Sequence, residues 1–109
     1  MKIKIIEGID SLEEIFRKTK IMILKNSQRC PISRTAKREF EKFAEEYNDR
    51  IDLYMVDVIK CRDISNEIAE KTGVKHESPQ IFLVENGEVT WHASHWNIKS
   101  ETLHDIMNS

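Results

Sequence analysis

Cys30-Pro31-Ile32-Ser33 is the segment whose residue types and spacing best suit chemistry. A cysteine reacts as its thiolate, and a free thiol has a pKa of about 8.5. Apolar residues follow at Ile32, Ala36, Phe40, Phe43 and Tyr47, at intervals of 4, 4, 3 and 4, one stripe of an amphipathic helix. Pro31 suits the first helical position, where its missing N–H would have no partner. The pattern predicts a helix from Pro31 to about Asn48 with Cys30 at or near its N-cap. A helix start offers unpaired N–H groups and the positive end of the helix dipole, and such sites bring a cysteine pKa to about 3.5–7.5. Arg29 and Arg34 add positive charge. Ser33 can donate a hydrogen bond to a thiolate but cannot form a disulfide with it, so this is a one-thiol site. The competing reading of Cys30 is a free thiol packed under a loop.

Other candidates are weaker. Cys61 reads either as a resolving thiol for Cys30 or as a small loop residue, and a bridge needs Cα atoms within about 7 Å. Ser78-Pro79 precedes a strand-like run. It is either a cis bond in a tight turn or an ordinary trans turn. His76 and His95, with the two cysteines, match no compact zinc spacing, so no metal is expected. His95 either helps hold the thiolate or packs at the surface. Trp96 either lines a thiol groove or covers the edge of the core. Arg29 and Arg34 either meet a carboxylate or are solvated. The charged positions of the 31–48 helix, Arg34, Lys37, Arg38, Glu41, Lys42 and Glu45, read as a solvated face.

These residues need a frame. Ser11-Leu12-Glu13-Glu14 has the form of a capping box and predicts a helix over about 11–19. Ile21-Met22-Ile23-Leu24 reads as a strand buried on both faces, and 51–58 reads as a second strand. A helix over about 63–72 ends at Gly73, a left-handed cap. Strands at 80–84 and 88–92 flank Asn86-Gly87, the signature of a type I′ hairpin. A last helix covers 99–107. Strand–helix–strand at 21–58 predicts a right-handed parallel crossover. With the hairpin antiparallel, the segments around Cys30, Cys61, Ser78-Pro79 and His95-Trp96 should meet at one sheet edge. The expected class is α/β: a mixed sheet, covered by helices, in a single domain over 1–109.

Composition narrows the functions. Seventeen Lys+Arg against 19 Asp+Glu leave a net charge of −2, without the basic excess of a nucleic-acid binder. The longest aliphatic runs are four residues, Ile21–Leu24 and Ile81–Val84, whereas a membrane span needs about 20. Met1-Lys2-Ile3-Lys4-Ile5-Ile6-Glu7 lacks the apolar core of a secretory signal. The expectation is a soluble cytoplasmic protein with no membrane or nucleic-acid partner. Two cysteines are too few for a disulfide scaffold.

A strand, Cys-Pro-x-Ser at a helix start, strand and helix, then Ser-Pro before a hairpin resembles the thioredoxin fold. More narrowly, Cys30-Pro31-Ile32-Ser33, the stretch from Glu70 to Gln80, and Trp91-His92-Ala93-Ser94-His95-Trp96 resemble the YtxJ-like monothiol bacilliredoxins. The likeness spans nearly the whole chain, with the 70–80 stretch and Ser94-His95-Trp96 its specific parts. Arg29 stands where that family pattern has threonine, and Cys61 has no place in it. The resemblance implies a bacterial cytosolic enzyme that reverses mixed disulfides between protein thiols and bacillithiol. It would have Cys30 as nucleophile and Pro79 as a cis-proline facing it. Ser33 would assist, and Pro31, Ser78, His95 and Trp96 would contact substrate. Bacillithiolated client proteins are the implied partners. Bacillithiol is the implied co-substrate, with no bound cofactor. Two other classes compete. An iron–sulfur carrier is disfavoured by Pro31-Ile32, bulkier than the Gly-Phe of monothiol glutaredoxin-like carriers. A non-catalytic thioredoxin-fold adaptor would leave Cys30 incidental.

Overall fold

The computed structural model describes residues 3–47 and 49–108. The elements run β1 (Ile3–Ile5), α1 (Ile9–Phe16), β2 (Lys20–Asn26), α2 (Pro31–Tyr47), β3 (Asp52–Asp57), α3 (Arg62–Thr72), β4 (Gln80–Glu85), β5 (Glu88–Ser94), a 3₁₀ turn (His95–Asn97) and α4 (Ser100–Met107). The strands form one sheet in the order β1-β3-β2-β4-β5. β1 and β2 pair parallel with β3, whereas β4 pairs antiparallel with both β2 and β5. The expected parallel crossover and C-terminal hairpin are both present.

Side-chain alternation explains the layering. Met22 and Leu24 of β2 join Leu53, Ile81 and Leu83 in a core closed by Ala36, Phe40, Phe43, Ala44 and Tyr47 of α2 and Leu103 of α4. The intervening Ile21 and Ile23 face the other way, with Tyr54, Val56, Phe82 and Val84, against Leu12 and Ile15 of α1 and Ile64 and Ile68 of α3. Two helices on each face bury β2 and β4 almost throughout. That is why β2 carries no polar alternation.

Local chemistry sets the ends. Asn86 and Gly87 take φ of 53° and 83°, the left-handed pair that a type I′ turn needs. Gly73 closes α3 at φ 71°, with its N–H donating to Ala69 O.

Three boundaries differ from the sequence reading. α1 is capped by Gly8, and Ser11 lies inside the helix with its hydroxyl donating to Gly8 O at 2.8 Å, so no capping box forms. α1 also stops at Phe16, because the chain must turn at Arg17 to enter β2 at Lys20. The Ile3-Lys4-Ile5 alternation forms an edge strand that was not expected, since three residues carry too little period to read. The expected end of α2 near Asn48 lies outside the described residues. Among the described residues, no helix is long and apolar enough to cross a membrane.

Candidate active site

Strand direction gathers the chemistry. β2 and β3 end at the same sheet edge, and β4 begins there, with Lys25 opposite Gln80. β5 ends there too, with Ser94 opposite Gln80.

Cys30 sits one residue before α2. Its N–H donates to Ser27 O at 3.3 Å, and its carbonyl accepts from the Arg34 N–H at 3.1 Å. It therefore occupies the N-cap, where a side chain meets the free N–H groups of the first turn. Pro31 has no N–H, so Ile32 and Ser33 supply the first donors. The Ser33 N–H does most to hold the thiol below its ordinary pKa. The Ile32 N–H, the Ser33 hydroxyl and the Arg34 charge add smaller effects, and partial desolvation opposes them. The thiol is half-buried and free.

Ser33 is fully buried in the first turn. Among the described residues its hydroxyl completes no hydrogen bond, and neither does the buried hydroxyl of Ser78. Two unsatisfied buried hydroxyls are costly unless something completes them. Ser33 is well placed to donate to a Cys30 thiolate, a stronger acceptor than the thiol.

The Ser78–Pro79 peptide is cis, and Pro79 is buried. Gln80 braces this loop. Its amide donates to Lys75 O at 3.0 Å and accepts from the Glu77 N–H at 3.3 Å. Pro79 O accepts from the His95 N–H at 3.0 Å, which ties the end of β5 to the proline loop. Glu77 accepts from Ser94 Oγ at 3.1 Å and lies 3.7 Å from His95 Nδ1. His95 takes φ 55°, and the 3₁₀ turn it opens packs against α2. Trp96 is 61% exposed, so it covers no core and leaves an aromatic face open beside the loop.

Cys61 occupies the N-cap of α3, half-buried and free. His76 and His95 bind different partners, and among the described residues no cluster of three His, Cys, Asp or Glu could hold a metal.

Sequence reasoning missed a buried polar group at this edge. Lys25 is fully buried. Its Nζ lies 3.2 Å from His76 Nδ1, which is also 3.2 Å from Ser65 Oγ. The signal was present: Lys25 is in phase with Ile21 and Ile23, so its side chain must enter the same core layer.

Comparison with known proteins supplies the family. The sequence matches the family described as monothiol bacilliredoxin BrxC over residues 1–103. The chain belongs to the monothiol bacilliredoxin family. A solved candidate oxidoreductase with a thioredoxin fold is 37% identical, with TM-score 0.89, over 97% of this chain and 94% of that one. Thioredoxins of Fasciola hepatica (15% identity, TM-score 0.75, 97% of both chains) and Trypanosoma brucei brucei (20% identity, TM-score 0.74, 98% of this chain and 92% of that one) share the fold. This bacilliredoxin is thus a thioredoxin-fold member of a thiol–disulfide oxidoreductase family.

Proposed function

We propose that the protein removes bacillithiol from mixed disulfides on cytosolic client proteins, with Cys30 as nucleophile. The observation that carries this reading is the single thiol at the α2 N-cap, with the Ser33 N–H favouring its thiolate and a serine where a second cysteine would resolve it.

The Cys30 thiolate attacks the bacillithiol sulfur of the mixed disulfide. The bond between Cys30 and that sulfur forms, the bond to the client sulfur breaks, and the client leaves as its thiolate. Ser33 stabilises the Cys30 thiolate before attack. The Ser78 hydroxyl and the backbone beside Pro79 hold the extended substrate, as in strand addition. Pro31, His95 and Trp96 border the substrate. Free bacillithiol then attacks the adduct and restores Cys30, leaving bacillithiol disulfide for a separate NADPH-dependent flavoenzyme. Bacillithiol is the co-substrate, and no bound cofactor takes part.

Intact mass spectrometry after incubation with a bacillithiolated protein tests this. One bacillithiol adduct on Cys30, released by free bacillithiol and absent from Cys30→Ser, is expected. No adduct on native protein overturns the reading. Loss of two hydrogens, abolished by Cys61→Ser, would instead make Cys61 the resolving thiol.

A further inference from the structure

A cleft of about 460 Å³ opens where β1, β2 and β3 end beneath α2. Its floor follows from strand register. Ile5 pairs with Met55, and Asn26 with Asp57. All four share the sheet face of Leu24 and Leu53, so their side chains project into the same gap. Lys37 of α2, Gln28, Lys60, Glu7 and Cys61 complete the wall.

Several features mark this cleft as a binding site. Asn26 is only 5% exposed, yet among the described residues its side chain has no hydrogen-bond partner, although its carbonyl accepts from Val58 N–H at 3.0 Å. The amide reaches the open cleft rather than being sealed in the core, so it is free to bond a ligand there. Lys37 and Lys60 make no ion pair with any described residue. Asp57 is held in place, its Oδ1 accepting the N–H groups of Ile59 and Lys60 at 2.9 and 3.1 Å. Cys61 is anchored by its backbone N–H to Asp57 O at 2.9 Å, and its partly buried side chain packs against the core layer of Ile6, Val56 and Ile64 at the margin of the cleft.

We propose that this cleft binds a low-molecular-weight disulfide carrying both ammonium and carboxylate groups, and that Cys61 exchanges with it. Lys37 and Lys60 take the carboxylates, Glu7 and Asp57 the ammonium, and Asn26 the polar backbone of the ligand; Ile5 and Met55 cover its methylenes. The Cys61 thiol loses its proton to solvent and attacks one sulfur. A Cys61–sulfur bond forms, the disulfide bond of the ligand breaks, and its other half leaves as a thiolate. Cys61 is oxidised and one half of the ligand is reduced. The result is a second thiol-modification site that does not depend on Cys30.

The test uses the full-length Cys30→Ser protein, so its outcome is independent of the reaction assigned to Cys30. Adduct formation at Cys61 is followed by intact mass with glutathione disulfide, which carries both charges, and with neutral hydroxyethyl disulfide. The rate should saturate with glutathione disulfide and rise linearly with the neutral probe. Lys37→Gln combined with Lys60→Gln, both at the surface, should weaken the half-saturating concentration by about tenfold or more, the effect of roughly 1.4 kcal/mol, and leave the neutral rate unchanged. A linear rate with glutathione disulfide, equal saturation by both probes, an unaffected double variant, or no adduct on Cys61 would each overturn the proposal. Circular dichroism of the double variant separates loss of binding from loss of fold.

Discussion

Lys25 Nζ and His76 Nδ1 lie 3.2 Å apart, and among the described residues neither group makes an ion pair with a carboxylate. A buried ammonium without a counter-ion is held at a cost. Burial brings the Lys25 pKa down to about 8. Partial desolvation also lowers that of His76, with the Lys25 and Arg62 charges adding to it and the Glu77 carboxylate opposing them. A neutral His76 can accept from Lys25 at Nδ1, so the two shifts suit one arrangement. The Lys25 ammonium also stands 5.6 Å from the centre of the Phe82 ring, a cation–π contact that offsets part of the desolvation.

That arrangement gives stability a definite pH dependence. The folded pKa of Lys25 lies below its unfolded value. Between about pH 8 and 10.4 the unfolded chain therefore holds a proton that the folded protein lacks, and stability should rise with pH by up to about 1.4 kcal/mol per unit. Lys25→Met nearly conserves volume and removes the charge. It should raise stability at pH 7 by about 1–3 kcal/mol and flatten the rise above pH 8. Urea unfolding across pH measures both. An unchanged slope would assign the titration to another group. In the same variant the His76 pKa should move up toward its ordinary value, which NMR can follow.

Cys30 should alkylate with a midpoint below that of an ordinary thiol, because the Ser33 N–H favours its thiolate. Ser33→Ala keeps that N–H and removes only the hydroxyl. The midpoint should rise by less than about one unit, the range of a single modest hydrogen bond. Iodoacetamide kinetics against pH, read on Cys61→Ser protein, measure the shift. A full return to the value of a free thiol would make the hydroxyl, not the backbone, the main determinant.

Ser33→Cys should change the chemistry without changing the fold. Residues three apart in the first helical turn lie on one face, and the new thiol would stand where the buried hydroxyl now does. A mixed disulfide on Cys30 should then be released without added small thiol, with loss of two hydrogens by mass. Persistence of the adduct would show that the buried position keeps the second sulfur out of reach.

Gly73→Ala should cost about 1 kcal/mol, the penalty for a side chain in the left-handed region. An added Cβ would meet nothing within 4 Å, so backbone conformation is the whole of the effect. A shift of the urea midpoint at constant slope would confirm it.

Much of this architecture was legible in the residues themselves. The four-residue run Ile21–Leu24 announced a doubly covered strand, and the Ile32-to-Tyr47 stripe announced α2. Asn86-Gly87 placed the hairpin. From those directions alone, Cys30, Ser78-Pro79 and His95 fell at one edge. What escaped was either too short or non-local. β1 offers only three residues of alternation. The Ser11 hydroxyl had a rival acceptor in Gly8 O, which periodicity cannot weigh. The Lys25–His76 contact joins residues 51 positions apart, so no window along the chain contains it. The cleft at Cys61 needs three strand ends at once and exists only in the assembled sheet.

β1 contributes only three residues at the sheet's margin, and its single neighbour is β3. Few contacts hold it, so it belongs to the part of the molecule that opens at low free energy. Amide exchange should reach Ile5 and Ile6 well before Ile23 or Phe82. Each such opening strips two residues from the wall of the cleft while the helix start at Cys30 stays closed. The wall beside Cys61 therefore opens far more often than the helix start that carries Cys30.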